Sequence, residues 1–240
     1  MNPIIDQHFI YWPQLIQGHL IKRYKRFLAD VKLNTGELVT AHCPNSGSMK
    51  ECSEAGRPVF LSFHDNPKRK LKYTWELIDM HDSLVGVNTQ IPNRLVELAI
   101  SSGRIKELNT YTRINREVKV SDHSRLDLFL SNEKGETCFV EVKNCTLVKN
   151  GKASFPDAIT TRGRKHLVEL QKLVKSGVRS VIFFLVQRMD AEIFKPADDI
   201  DKEYGVELRK AYDNGVEMLV YDVSISQQKI GVNNKLPFLL

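Results

Sequence analysis

Cysteine is scarce in this chain and poorly spaced for metal binding. Cys43, Cys52, Cys138 and Cys145 form no C-x-x-C pair, which excludes the tight spacing of a zinc finger. His42, Cys43, Cys52 and His64 make only a loose group, and it reads as reduced thiols and surface imidazoles of a cytosolic protein. Long apolar runs are also lacking. The longest, Val181 to Val186, is far too short to span a bilayer. No basic stretch followed by an apolar run stands at the N-terminus, so no secretory signal is expected and a soluble, cytoplasmic protein is. There is no internal repeat, no low-complexity tract and no Gly/Pro/Ser-rich linker.

What remains is a globular composition. The 240 residues suffice for one large domain or two small ones. Apolar content of 42% against 27% charged argues against disorder. A net charge of +6 favours anionic partners only mildly, so the placement of the cations must decide.

Residues 1–85 read as short strands broken by turns, near 21 and over 27–31, 37–41, 59–63 and 73–80. Asn34-Thr35-Gly36 is a hairpin signal, and Pro44-Asn45-Ser46-Gly47-Ser48 and Asn66-Pro67 are loops. Closely spaced strands without a long helix predict a small β-barrel. From about residue 86 the pattern changes. A helix capped by Asn93 and stopped by Gly103 precedes strands over 113–120, 125–130 and 138–143, the last two joined by a hairpin at 132–136. A helix over 161–175, a strand over 181–186 buried on both faces, a helix over 201–213 and a last strand over 216–223 follow. The fold expected is therefore α/β (α+β), with a β-barrel unit at 1–85 and a mixed-sheet α/β unit at 86–240.

The chemistry concentrates on the predicted hairpin. Asp127 interrupts the apolar Leu126-Asp127-Leu128-Phe129-Leu130, and Glu141 and Lys143 interrupt Phe139-Val140-Glu141-Val142-Lys143. Glu141 and Lys143 share a strand face, and a five-residue loop at 132–136 would set Asp127 opposite Glu141. Two carboxylates so close repel unless a cation lies between them. Mg²⁺ or Mn²⁺ held by Asp127, Glu141 and the Val142 carbonyl, with Lys143 orienting water or stabilising phosphoryl charge, would make a phosphodiester-hydrolysing site. A solvent-exposed sheet face with an ordinary Glu–Lys pair is the alternative. Glu97, on the preceding helix, is a further candidate, binding metal through a water. Pro156-Asp157 mimics the acidic motif but follows Glu141 and Lys143, whereas the first acid should precede them.

The cations are patchy. Residues 1–85 hold eleven basic and nine acidic side chains. Lys22, Arg23, Lys25 and Arg26 surround Tyr24, and Lys68, Arg69 and Lys70 precede Tyr73 and Trp75. Cations interleaved with aromatics on a barrel suit nucleic acid. Arg162, Arg164 and Lys165 open a helix whose dipole disfavours them, a conflict that a bound phosphate would relieve. His166 can pair with Glu169 one turn on, and reads as structural or DNA-facing.

With these residues laid out, the chain resembles the sugar fermentation stimulation protein family. The matching blocks are 23–27, 44–49, 85–89 with 92–93, 124–127, 141–143 with 146–147, 155–158, 161–163 with 166–167, and 215–217. The resemblance implies an N-terminal OB-like barrel and a restriction-endonuclease-like domain similar to PD-(D/E)XK nucleases, whose acid, acid and lysine fall on Asp127, Glu141 and Lys143. It also implies sequence-nonspecific DNA binding and a link to regulation of sugar (maltose) metabolism. Three readings stand: a DNA-binding protein with Mg²⁺-dependent nuclease chemistry, a non-catalytic DNA-binding regulator, and an RNA-binding or RNA-processing protein.

Overall fold

The structure is a computed structural model describing residues 8–121 and 124–240. Its first elements are β1 (Phe9–Tyr11), β2 (Leu15–Tyr24), β3 (Leu28–Leu33), β4 (Leu38–His42), β5 (Pro58–Phe63), β6 (Tyr73–Asp79), β7 (Leu84–Gly86) and α1 (Ile91–Ser101). Then come β8 (Arg113–Ser121), β9 (Ser124–Ser131), β10 (Thr137–Cys145), β11 (Leu147–Lys149), β12 (Lys152–Phe155) and α2 (Thr161–Lys175). The chain ends with β13 (Arg179–Val186), β14 (Ile193–Pro196), α3 (Lys202–Asp213), β15 (Glu217–Ile225) and β16 (Lys229–Lys235).

Strands β2 to β6 close into a barrel. The order β4-β3-β2-β5-β6 is completed by a short parallel pairing of β4 with β6, Ala41 opposite Tyr73. This is the strand order of an OB-like barrel, as expected. Alternation drives β3, whose Ala29, Val31 and Leu33 point inward. Strands β5 and β6 do not alternate because they are buried on both faces. Val59, Leu61, Trp75 and Ile78 fill the barrel, while Phe60 and Leu77 pack into the core of the second unit.

That second unit is a seven-stranded sheet, β1-β16-β15-β13-β10-β9-β8, parallel at its centre and antiparallel toward its edges. Helix α1 covers one face, where Leu95, Val96, Ala99 and Ile100 meet Leu128, Leu130 and Val140. Helices α2 and α3 cover the other through Leu167, Leu170, Tyr204 and Leu208. Strand β13 runs between the two layers and is buried on both faces, as its unbroken apolar run predicts: Phe183 points to one core and Ile182 and Phe184 to the other.

Four expectations need correction. First, β1 pairs with β16 in the large sheet, so residues 9–11 do not belong to a barrel unit of 1–85, whose first seven residues lie outside the described residues. Second, β15 is not last, since β16 turns back along it. Third, a small sheet, β11-β12-β14, stands beside the main one. Fourth, α1 is capped by Gln90 without a side-chain bond, and Asn93 lies inside the first turn behind Pro92. Thr160 and Asp201 are the side-chain caps of α2 and α3, accepting from Gly163 N and Tyr204 N at 3.1 and 3.0 Å.

The two units are clasped together. Gly86 N donates to Gln187 O and Met189 N to Ser83 Oγ, each at 2.9 Å. Buried Arg188 donates to the carbonyls of Glu51 and Thr146 at 3.2 Å and pairs with Asp190. Removing a buried ionic partner leaves the other group unsatisfied. Arg188→Ala should therefore lower unfolding free energy by about 3 kcal/mol, measured by urea titration. Far-UV circular dichroism and tryptophan emission should coincide in the native chain and separate in the variant.

Candidate metal centre and its cleft

The site begins where a β-ladder stops. Strands β9 and β10 pair in register from Thr137 opposite Ser131 to Val140 opposite Leu128. One step further sets Asp127 opposite Glu141, as the predicted hairpin requires. There the ladder gives way to a side chain: Asp127 Oδ2 accepts from Val142 N at 2.8 Å, and its Oδ1 accepts from Asn93 Nδ2 of α1 at 2.8 Å. Glu141 and Lys143 point to the opposite face from Val142, which packs in the core under α1. Glu141 is only 2% exposed. Its Oε1 accepts from Lys143 Nζ at 2.5 Å and from His166 Nδ1 of α2. Arg162 Nε donates to His166 Nε2 at 3.4 Å, which leaves the ring proton on Nδ1 to serve Glu141. Glu141 Oε2 is buried and has no hydrogen-bond partner.

The two carboxyls are driven apart. Burial pushes Asp127 up to about 6; the Glu141 charge adds to the rise, against the Val142 amide, Lys143 and Asn93. Burial pushes Glu141 up too, but the Lys143 ammonium and the His166 hydrogen bond and charge outweigh it and hold Glu141 below the usual carboxylate range. Glu141 is thus an anion with one bare oxygen, and Asp127 resists ionising beside it. A divalent cation would satisfy both. The donor set fits a hard ion, with two carboxylates and a backbone carbonyl, since the Val142 carbonyl leaves its strand on the same side as the Val142 N–H.

The structure brings Asp127, Glu141, Val142 and Lys143 together but leaves Glu97 out. Glu97 lies one turn beyond Asn93 on α1, is ion-paired with Arg116 of β8, and lines a separate 230 Å³ hollow with Arg94 and Ser101. The α1 residue at the site is Asn93, which sequence reading assigned to a cap. His166 was also placed wrongly: it meets Glu141, whereas Glu169 pairs with Lys172. The signal for His166 was its place on the buried stripe of α2, one turn after the exposed Arg162.

The basic residues divide by role. Arg23 is spent on structure. Its guanidinium donates to the carbonyls of Arg26, Asn45, Gly47 and Ser48 at 2.8 to 3.2 Å, and so shapes the loop between β4 and β5. Arg164 is ion-paired with Glu203 of α3. Lys22 lies 3.6 Å from Asp30, and Arg69 donates to Thr74 Oγ1. Lys25, Arg26, Lys68, Lys70, Arg162 and Lys165 are exposed. Arg26 reaches a cleft of 620 Å³ between the barrel and the strap before α2. Asp157, on that strap, accepts from Met49 N at 3.2 Å and Ser48 Oγ at 3.4 Å. A Cβ on Gly47 would lie 2.4 Å from Asp157 Oδ2, so any side chain there would displace the Asp157 carboxylate. Cys43, Cys52, Cys138 and Cys145 are all buried free thiols. Among the described residues no helix is long and apolar enough to cross a membrane.

Known proteins share this plan. Residues 21–87 match the SfsA N-terminal OB domain, and residues 90–229 the Sugar fermentation stimulation protein RE domain. A Sugar fermentation stimulation protein homolog of Geotalea uraniireducens is 54% identical over 222 residues, covering 92% of this chain and 96% of that one. The homolog of Geobacter sulfurreducens is 53% identical over 225 residues, with coverage of 94% and 96%. Among solved structures, SfsA of Pyrococcus furiosus in complex with Ca²⁺ is similar at a TM-score of 0.88 and 25% identity, over 96% of this chain and 98% of that one. By these matches, and by the barrel and sheet that carry them, the chain belongs to the sugar fermentation stimulation protein family.

Proposed function

We propose that this protein binds DNA and hydrolyses its phosphodiester bonds at a divalent-metal site formed by Asp127, Glu141 and the Val142 carbonyl. The observation that carries this reading is the bare, buried Oε2 of Glu141 beside an Asp127 whose ionisation Glu141 itself opposes. A sheet of purely structural purpose has no use for that pair, because each uncompensated buried charge costs stability. The Pyrococcus furiosus relative in complex with Ca²⁺ supports a hard, oxygen-seeking cation. Mg²⁺ or Mn²⁺ is the ion proposed here.

When bound, such an ion supplies Lewis acidity to a phosphoryl oxygen and lowers the pKa of water. The remaining work falls to the chain. Asn93 and the Val142 N–H fix the Asp127 carboxylate, and His166 and Lys143 fix Glu141 so that Oε2 stays free. Lys143 Nζ, largely buried, presents a localised positive charge to the phosphoryl oxygens or to the attacking water. Lys25, Arg26 and Arg162 hold backbone phosphates near the centre. Lys68 and Lys70 extend the footprint along the barrel, and Lys165 along α2. Contacts of this kind read no sequence and weaken steeply with salt.

Two outcomes check the proposal. Plasmid incubated with the protein and Mg²⁺ or Mn²⁺ should be cut, and Asp127→Ala or Lys143→Ala should slow cutting on the order of a hundredfold or more while DNA retardation persists. Cutting that survives both substitutions would sink the hydrolytic reading; retardation with no cutting at all would leave a DNA-binding regulator. The second outcome concerns pH. Asp127 must be ionised to ligate, and its carboxyl titrates at about 6, so protons compete with metal below that pH and not above it. Mn²⁺ affinity measured by calorimetry should be flat above pH 7 and fall about tenfold per pH unit below 6. Asp127→Asn should weaken binding and abolish that slope.

A further inference from the structure

The 620 Å³ cleft opens between the β2–β3 turn of the barrel and the strap of residues 155–160. It neighbours the candidate metal site along the chain: Asn144, which lines it, follows Lys143, and Thr160, also in its wall, caps the helix that carries Arg162 and His166. Resting on the DNA-cleaving reading above, we propose that this cleft receives an unpaired segment of a DNA strand, so that the substrate is DNA with a single-stranded tail or end.

Size decides first. A volume of 620 Å³ falls in the range of about 300–1,000 Å³ that encloses a small organic ligand. One or two nucleotides fit such a space. A duplex, whose major groove alone is about 12 Å wide, does not.

The lining is suited to the backbone and bases of one strand. Arg26 supplies a free cation, and Ser46, Thr89 and Asn144 supply uncharged hydroxyl and amide groups. Asp157, the acid in the wall, is committed to Met49 N and Ser48 Oγ on the barrel side. Arg23 adds positive charge from behind the loop it holds.

The wall carries an apolar group that the fold does not use. Ile159, on the strap, is 74% exposed, the most exposed large apolar side chain described. A scattered exposed apolar residue is ordinary. Here it stands in the wall of a cleft that also holds Arg26, where the apolar face of an unpaired base can pack against it.

The turn that presents Arg26 is held in place. Lys25 and Arg26 both adopt left-handed backbone angles, φ 48° and 61°, which non-glycine residues avoid. Arg23 Nε, donating to Arg26 O at 3.1 Å, anchors that turn to the loop beneath it. Such geometry persists where surrounding structure over-determines it, and it recurs at ligand clamps.

The test compares a blunt duplex with the same duplex bearing a terminal single-stranded thymidine tail, by fluorescence anisotropy without added metal, so that binding is read apart from cleavage. The tail should raise affinity about tenfold or more, the scale of stacking one or two bases. Ile159→Ala should remove most of that gain. Ala158→Trp, at an exposed strap position, should fill the cleft and bring the ratio of tailed to blunt affinity toward one. Thermal melts by circular dichroism verify that both variants fold. Equal affinity for tailed and blunt DNA, or a tail preference untouched by both variants, overturns the cleft assignment while leaving DNA binding intact. Failure to bind either DNA overturns the DNA reading itself, and the cleft assignment with it.

Discussion

A carboxylate buried in the middle of a sheet sets the terms for everything around it. Glu141 lies at 2% exposure on the interior strand β10, flanked by the apolar Val140 and Val142. An isolated charge there would cost several kcal/mol. It is tolerated because three residues converge on it: Lys143 from its own strand, His166 from α2, and, through His166, Arg162 at the start of the same helix. These contacts explain why α2 crosses the sheet where it does, with Leu167 and Leu170 seated in the core beside His166. They also satisfy only one carboxylate oxygen. A network built purely for stability would have satisfied both.

Asp127 completes the logic from the other side. It replaces a rung of the β9–β10 ladder with a side-chain hydrogen bond to Val142 N, so the two strands separate where the acids meet. The separation is anchored by Asn93, and α1 is thereby tied to the site although its apolar stripe packs on the opposite face. Each helix layer therefore supplies one polar residue to one carboxyl. The polar groups are pre-oriented by these bonds, and under the proposed function the tension between the carboxyls is what a cation would relieve.

Parts of this were legible in the sequence for identifiable reasons. The hairpin of β9 and β10 was read correctly because a two-residue period admits one register once the loop length is known. Helix α2 was read to its limits because Leu167 and Leu170 repeat at helical spacing and Gly177 stops it. What failed was context. Strands β1 and β16 are short or polar, and they exist because the sheet edge offers partners far away in sequence. The β11–β12 hairpin carried a readable sign, Asn150-Gly151 with both residues at positive φ, but its arms of three and four residues hold too little apolar periodicity to be noticed. Pro92 marks the first turn of α1 and was the available clue that Asn93 lay inside the helix. Glu97 was lost by a single turn, since nothing in one sequence tells which turn of α1 lies against Asp127.

Arg23 shows why counting cations misjudges a binding surface. In the sequence it is one of four positive charges around Tyr24. In the structure its guanidinium makes four hydrogen bonds to carbonyls, three of them of residues 22 to 25 positions away, beyond any local pattern. The loop it shapes is the one that Asp157 grips from the α/β unit, beside a glycine whose missing side chain leaves room for the carboxylate. Barrel and α/β unit are thereby joined at the wall of the cleft. A barrel tethered by a free linker would deliver bound nucleic acid to the carboxylates only by chance. A barrel fastened at this point holds its exposed cations, Lys25 and Arg26, at a constant offset from Glu141, so that under the proposed function the binding surface and the reactive centre would form one preorganised site.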